Sequence, residues 1–558
     1  KMAATKWKSI AAYAADLASV EPRLPAASVL ARQLRSLRLA PTNTHFNQLL
    51  NCTICWSHPS ATCPMVLNLL PVLNECFLHV GVKAFEVSAG RLALGPLSRC
   101  VQTLSSSWDT PAILLHCLLT RHCCVEVIEK VHFVLRGHLE LFCDALRKST
   151  LRRLRLGAFS LTATAVERIA TAMRASEHIV ELSWDSCLIT SGNLQATEDA
   201  FAAFVTNSKS LRILDVQNIQ LFCKSVTLVK SLEKNVSIES LLINSSVLHG
   251  ETGDTFCHYL AHNATVKSLF IFNNSSLHIP KVENVFKALQ KNSTLYSLTI
   301  NRFYLQLSTL QWFASLATQN TALREVKFLQ CVWMSPFFFG SESAAFLEQD
   351  MASAVIAALR GTSSLRRLTF TADFLPEKWV CLLLEAATAC HSLEEITLGD
   401  VLLQSSSEAF YCTLRDMHIA EKVRLDSCPS HPEAFIIALQ SCGKFLGKGH
   451  HRLSGLDPLS FRNVVTAVTL HDHITRLELE AMHCRIGIEH MSLLANYLSS
   501  TRALKDVSFV FHISEECSHI VVEGLCKNTT LEKLSIDSWS MQSSDVTKLC
   551  RWVAASRK

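Results

Sequence analysis

One string recurs through this 558-residue chain and constrains what it can fold into. It reads "KNVSIESLLI" from Lys234, "HNATVKSLFI" from His262, "KNSTLYSLTI" from Lys291, "QNTALREVKF" from Gln319 and "KNTTLEKLSI" from Lys527. Each copy is Asn, two mostly small residues, then an apolar triplet spaced three and two apart. The last two apolar positions are two apart, which is strand spacing. The stretch before each triplet has helical spacing: in "VENVFKALQKN", Val282, Val285, Phe286 and Leu289 share one helical face. One unit is therefore a helix, a corner and a short strand.

The triplets fall at Ile128/Val131/Phe133, Leu151/Leu154/Leu156, Ile179/Leu182/Trp184, Leu211/Leu214/Val216, Ile238/Leu241/Ile243, Val266/Leu269/Ile271 and Leu295/Leu298/Ile300. They continue at Leu323/Val326/Phe328, Leu365/Leu368/Phe370, Leu393/Ile396/Leu398, Ala420/Val423/Leu425, Ile474/Leu477/Leu479, Leu504/Val507/Phe509 and Leu531/Leu534/Ile536. From Leu151 onward most first positions are 27 to 32 residues apart. A period near 28 predicts a solenoid, in which stacked units bury the apolar faces that no unit can bury alone. The gap of 42 marks an insertion at 335–350, and the gap of 54 is two periods with a degraded repeat near 440–460, placed at Phe445 and Leu446. Val82/Phe85/Val87 is read as an earlier unit, and Leu34/Leu37/Leu39 as either a unit or a helix face. The expected organisation is a helical N-terminal cap over 1–80 and an array of about 14–16 repeats over 81–558.

The recurring Asn also spells a glycosylation sequon at Asn235, Asn263, Asn292 and Asn528. Asn320 takes the same place without one. A structural reason outweighs glycosylation: the position ends a helix, where a left-handed residue is wanted and Asn tolerates that conformation well. A left-handed helix stop is the expectation.

Composition excludes several classes. Apolar residues are 49% and charged residues 18%, so a large core forms and disorder is not expected. A net charge of +5 over this length gives no general attraction to nucleic acid or membranes. The 17 glycines spell no phosphate-cradling loop, and no nucleophile elbow is present. The 22 cysteines, scattered in apolar segments such as those around Cys143, Cys257, Cys381 and Cys526, suggest a reducing, cytoplasmic setting. The N-terminal stretch is amphipathic, with Trp7, Ile10, Ala14 and Leu17 on one face, and lacks a signal-peptide core. The most apolar run, Met65 to Val82, is broken by Asn68, Pro71, Asn74, Glu75 and His79, so no membrane span is expected.

Triplets at this period alternating with helices resemble the leucine-rich repeats of the ribonuclease-inhibitor type, a class that includes the repeat domains of NOD-like receptors. The resemblance covers Leu151 to the C-terminal end well, and extends to Val82 more weakly. It implies an α/β horseshoe with parallel strands on the concave face and helices outside. The class usually places Asn or Cys five residues after the second strand Leu. Cys187, Asn274, Cys331 and Cys428 fit, whereas Phe159, Phe303, Val401 and Trp539 depart from the pattern, as does the scarcity of glycine. The nucleotide-binding domain of a NOD-like receptor has no counterpart motif here.

In such a fold, strand residues pointing away from the core form the binding face. Leu242, Phe270 and Phe272 are then an apolar patch, with Asn244, Thr299 and Asn301 beside it as partner-binding candidates. Arg153 and Arg155 are a secondary candidate, set against mutual compensation by Glu181, Asp185 and Asp215. Phe337, Phe338 and Phe339 are either a docking loop or packed against the repeats. Cys52, Cys55, His58 and Cys63 offer four side chains of zinc-ligand type in twelve residues, but their central spacing is shorter than a zinc knuckle's, so a loop with packed cysteines is the expectation; His471 and His473 are a weaker pair. No metal, cofactor or catalytic residue is assigned. The function expected is a non-enzymatic protein-binding scaffold, engaging neither nucleic acid nor membrane, with innate-immune-type signalling as the resemblance's implication. The alternatives are a substrate-recognition subunit of a ubiquitin ligase, which needs an adaptor-binding helical box before residue 128, and a GTPase-activating regulator, which needs a presented side chain such as Arg153 or Asn301.

Overall fold

The computed structural model describes residues 10–22, 24–36, 38–39, 44–45, 63, 70–71, 73–75, 77, 80–88, 91–96, 109–129, 137–157, 159–184, 187–189, 192–218, 225–274, 282–332, 343–371, 375–399, 401–402, 416–417, 422–425, 432–446, 450–481 and 486–556. It forms two units, Lys1–Leu295 and Tyr296–Lys558. Both are runs of α/β repeats of leucine-rich type, built as the triplets predict.

In the first unit the parallel strands Val125–Glu129, Arg153–Leu156, Glu181–Trp184, Ile213–Asp215, Ser240–Asn244 and Ser268–Phe272 pair in sequence order. The second and third triplet residues turn inward: Leu154, Leu182, Leu214, Leu241, Leu269 and Ile271 are all buried. Helices cover that face, including Ala163–Arg174, Leu194–Asn207 and Gly250–His262. Trp184 of a strand meets Phe201 of the next helix edge to face, with ring centroids 5.9 Å apart. Helix starts carry side-chain caps that satisfy orphan amides: Thr162 accepts from Ala165, Asn193 from Gln195 and Ala196, and Ser225 from Leu228.

In the second unit, Ser297–Asn301, Glu325–Leu329, Arg367–Thr371, Glu395–Leu398 and Val423–Leu425 pair in parallel. A further four-stranded parallel sheet holds His450–Leu453, Arg476–Ala481, Asp506–Ile513 and Lys533–Trp539. Within the long gap, residues 333–342 lie outside those described; the helix Ser343–Gly361 follows, and Leu368 then pairs with Val326 in the expected register. At Gly524, an added Cβ would meet the Ala495 carbonyl oxygen at 2.5 Å, so helices Ile488–Ser500 and Glu515–Lys527 touch backbone to backbone. Gly524→Val is expected to lower the urea midpoint by an amount equivalent to about 2 kcal/mol, read by circular dichroism.

The structure corrects several sequence expectations. Asn235, Asn263, Asn320 and Asn528 do end helices, but with φ between −86° and −70°, in extended rather than left-handed backbone. Their side chains do the work instead. Asn235 Oδ1 accepts from the amides of Ser237 and Ile238, at 2.8 and 2.9 Å. Its Nδ2 donates back to the carbonyls of Val205 and Ser208 in the preceding repeat, at 2.6 and 2.9 Å. Asn292 repeats all four bonds, to Thr294, Leu295, Leu260 and Asn263. Asn528 bonds Thr530, Leu531 and Leu498 in the same way. These side chains are buried, which also argues against glycan attachment at Asn235, Asn292 and Asn528. Left-handed residues sit at the opposite corner, four residues after the second strand apolar residue: Arg302, Gln330 and Ser538, with φ of 61°, 49° and 64°.

Register differs in four places. The first repeat strand is Val125–Glu129, with Ile128 opposite Leu154, so Ile128 is the second apolar position rather than the first; Val131 and Phe133 lie outside the described residues. Val82–Ser88 is not a repeat strand: it pairs antiparallel with Arg91–Pro96, and Val87 is exposed. The degraded repeat's strand is His450–Leu453, several residues beyond Phe445 and Leu446, with buried His451 opposite Leu477 in place of the usual leucine. Asn274 is exposed, and the buried polar residue after Phe272 is Asn273, whose Oδ1 accepts from Ser245 at 2.8 Å. Cys331 holds the expected ladder position, buried, with its thiol directed at the Ile300 carbonyl at 3.4 Å. Of Leu34, Leu37 and Leu39, Leu34 is buried in the helix Ala27–Ser36, Leu37 lies outside the described residues, and Leu39 belongs to the short strand Arg38–Leu39, which pairs antiparallel with Thr44–His45.

Candidate protein-binding face

The strand residues turned away from the helices in the first unit change character along the sheet. Register places Arg155, Ser183, Asp215, Leu242 and Phe270 in one row across five neighbouring strands. Asn244 and Phe272 are paired one step further along. Leu242, Phe270 and Phe272 are half-buried, whereas Leu241, Leu269 and Ile271 between them are fully buried. Alternation therefore puts the three apolar side chains on the outer sheet face, as read from the sequence. Strands about 4.8 Å apart make Leu242 and Phe270 immediate neighbours.

The other candidates differ in burial and bonding. Asn244 is buried, and its Oδ1 accepts from the Ser246 amide at 2.8 Å, capping the short 3-10 helix Ser245–Leu248. Its amide is committed to a corner rather than offered on the surface. In the second unit, Thr299 is buried and Asn301 is half-buried. Asn301 Oδ1 has no hydrogen-bond partner among the described residues. Phe337, Phe338 and Phe339 lie outside the described residues, as do Cys52, Cys55 and His58.

Arg153 and Arg155 are compensated across strands. Arg155 reaches Glu129 at 3.1 Å and Glu181 at 2.8 Å, and Arg153 approaches Glu181 at 3.7 Å. The Glu181 hydrogen bond raises the Arg155 pKa further. Ser183 donates to Asp215 at 2.8 Å. The same pairing recurs in the second unit. Lys327 lies 3.1 Å and Arg367 3.8 Å from Glu325, and Arg424 lies 2.8 Å from Glu395. Burial pushes Glu325 up, but hydrogen bonds from Ser297 and Lys327 outweigh it and hold the carboxyl below its usual range. The charges of Arg155, Glu325 and Glu395 are thus paired across neighbouring strands.

A constellation that sequence reading missed sits where the cap helix Ile10–Val20 meets the first repeats. Tyr13 Oη lies 2.9 Å from His116 Nδ1, and His116 Nε2 lies 3.0 Å from Asp144 Oδ2. Lys148 Nζ bonds Asp144 at 2.5 Å and approaches Asp16 at 3.5 Å. Tyr13 and His116 are essentially inaccessible. Burial lowers the His116 pKa despite its hydrogen bond to Asp144. Neutral His116 then donates from Nε2 and accepts the Tyr13 proton at Nδ1. Burial also pushes the Tyr13 hydroxyl well above its ordinary value. The group ties the helix Ile10–Val20 to the helices that carry His116 and Asp144. Its members are up to 135 residues apart in sequence, which is why no spacing motif revealed it. Three further donors, Cys63, His122 and Cys124, also converge in this unit.

No protein-family model and no curated protein matches this chain. Among solved structures, a match is a Bacteroides fragilis protein determined as a structural-genomics target, 12% identical, covering 49% of this chain and 64% of that one at a TM-score of 0.26. This chain thus spans less than two thirds of that protein, and a likeness at that score bears on neither fold nor function. The repeat architecture rests on the chain's own strands and helices. No described helix is long and apolar enough to cross a membrane.

Proposed function

We propose that this chain is a non-enzymatic scaffold that binds a protein partner through the outer sheet face of its first unit. The observation that carries this reading is the in-register apolar row of Leu242 and Phe270, continued by Phe272. Half-buried aromatic residues flanked by polar ones are the usual anchors of an interface. The polar flank here is Asp215, Ser240 and Ser268. The paired charges of Arg153 and Arg155 support a protein rather than nucleic acid as partner, because no unpaired cationic stripe faces outward on those strands. Buried thiols such as Cys143 and Cys331, the latter pushed up to about 12 by burial, support a reducing, cytoplasmic setting. The resemblance to ribonuclease-inhibitor-type repeats, including those of NOD-like receptors, favours a role in a signalling assembly of that kind.

The double substitution Phe270→Arg with Phe272→Arg tests this. Two anchors worth about 2 kcal/mol each predict a loss of affinity on the order of a thousandfold. Proteins co-purifying from native cells are compared between wild type and variant, with circular dichroism on both. A partner lost only from the folded variant supports the face; an unchanged set of partners rejects it.

A further inference from the structure

We propose that Cys63, His122 and Cys124 form a metal site that takes one zinc ion. The three donor atoms lie within 4.8 Å of one another, and all three residues are buried. Cys63 Sγ and His122 Nδ1 are 3.7 Å apart. Tetrahedral zinc with Zn–S near 2.3 Å and Zn–N near 2.0–2.1 Å requires an S···N separation of about 3.6 Å. The Cys63–His122 pair already stands close to that separation. Thiolate and imidazole are the donor set zinc prefers, and three protein donors leave one tetrahedral position for water or a further donor.

The backbone holds two of the donors in place. His122 and Cys124 lie in the tight turn between the helix Asp109–Arg121 and the first repeat strand, Val125–Glu129. The His122 amide donates to Leu118 O at 2.9 Å, and Cys124 O accepts from the Leu92 amide at 2.8 Å. Arg91 Nη1 donates to Cys123 O at 3.3 Å. Cys63 comes from a segment 59 residues before His122, so the ion would staple that segment to the start of the repeat array. On binding, the two thiols lose their protons to solvent, and neutral His122 donates a lone pair without losing a proton. Among the described residues, this is the group of three metal-ligating side chains that converges. It uses only Cys63 of the four ligands weighed from sequence, and draws the others from a turn that no local motif announces.

The full chain, purified without chelator or metal-affinity resin, is expected to retain one zinc per chain by elemental mass spectrometry. Cys63→Ser with Cys124→Ser is expected to lower that content at least tenfold, while Cys52→Ser with Cys55→Ser leaves it in place. So that unfolding of the first variant does not decide the outcome, a second readout uses wild type alone. Cobalt(II) added to chelator-stripped, reduced protein is expected to give thiolate-to-cobalt charge transfer and the intense visible bands of a tetrahedral site. Three results would overturn the proposal: zinc-free wild type with no cobalt bands, zinc retained by Cys63→Ser with Cys124→Ser, or a native Cys63–Cys124 disulfide in protein alkylated at lysis.

Discussion

Asn235→Ala is expected to destabilise its part of the repeat array by about 3–5 kcal/mol, since it deletes five hydrogen bonds at roughly 1 kcal/mol each and strands buried backbone groups. The stranded groups are the Val205 carbonyl and the Ser237 and Ile238 amides, while the Ser208 carbonyl keeps its bond from the Ser237 hydroxyl at 2.9 Å. Asn235 is only 4% exposed, so water does not easily replace the side chain. Asn235→Asp separates the two halves of this role. It keeps the acceptor toward Ser237 and Ile238, but points a carboxylate at two carbonyl oxygens. It should therefore be at least as damaging as alanine. Asn263→Ala should cost roughly half as much, because that side chain is half-buried and its Nδ2 bonds only its own Thr265. Repeat arrays need not unfold in one step. Hydrogen exchange across 205–243 is thus the better reporter, and faster exchange confined to Asn263→Ala would refute the account of the ladder.

Asp144→Ala should rank with it, at about 3–5 kcal/mol, because it leaves Lys148 and His116 without the carboxylate that both address in a buried setting. Lys148→Met in the same chain should recover part of the loss. The network also predicts acid sensitivity. His116 has a folded pKa below 6.5, so the unfolded chain binds its proton more readily. Stability from this group is complete above about 6.5 and declines as pH falls from there toward the folded value. Burial raises the Asp144 pKa, but bonds from His116 and Lys148 more than offset this and bring it to about 2 from 3.8. Its contribution is therefore present above 3.8 and is lost only between there and about 2. Urea midpoints across pH 7.5 to 5 should fall in wild type and be flatter in His116→Phe; equal slopes would exclude His116 as the source.

Much of the architecture was legible because burying an apolar face leaves a period. Leu241 and Ile243 had to point inward together, and Leu242 between them had to point out. The same alternation brought Leu242, Phe270 and Phe272 to one face. Legibility failed where polar side chains replaced backbone geometry. Asn235 ends its helix in extended backbone because its amide satisfies both corners at once, which propensity alone does not reveal. It failed again where an apolar position was filled by another residue type, as His451 fills a leucine's place. It failed a third time where distant residues converge, as Tyr13, His116 and Asp144 do, and as Cys63 does with His122 and Cys124.

The central claim is that a partner docks on the sheet face carrying Phe270, and site-specific photo-crosslinking tests it most directly. A photoreactive phenylalanine analogue is placed at Phe270, and in a separate chain at Asp254, exposed on the helix Gly250–His262. After irradiation in native cells, a discrete covalent adduct is predicted from position 270 and none from position 254. An adduct from 254 alone, or from neither position while partners still co-purify, would contradict the account.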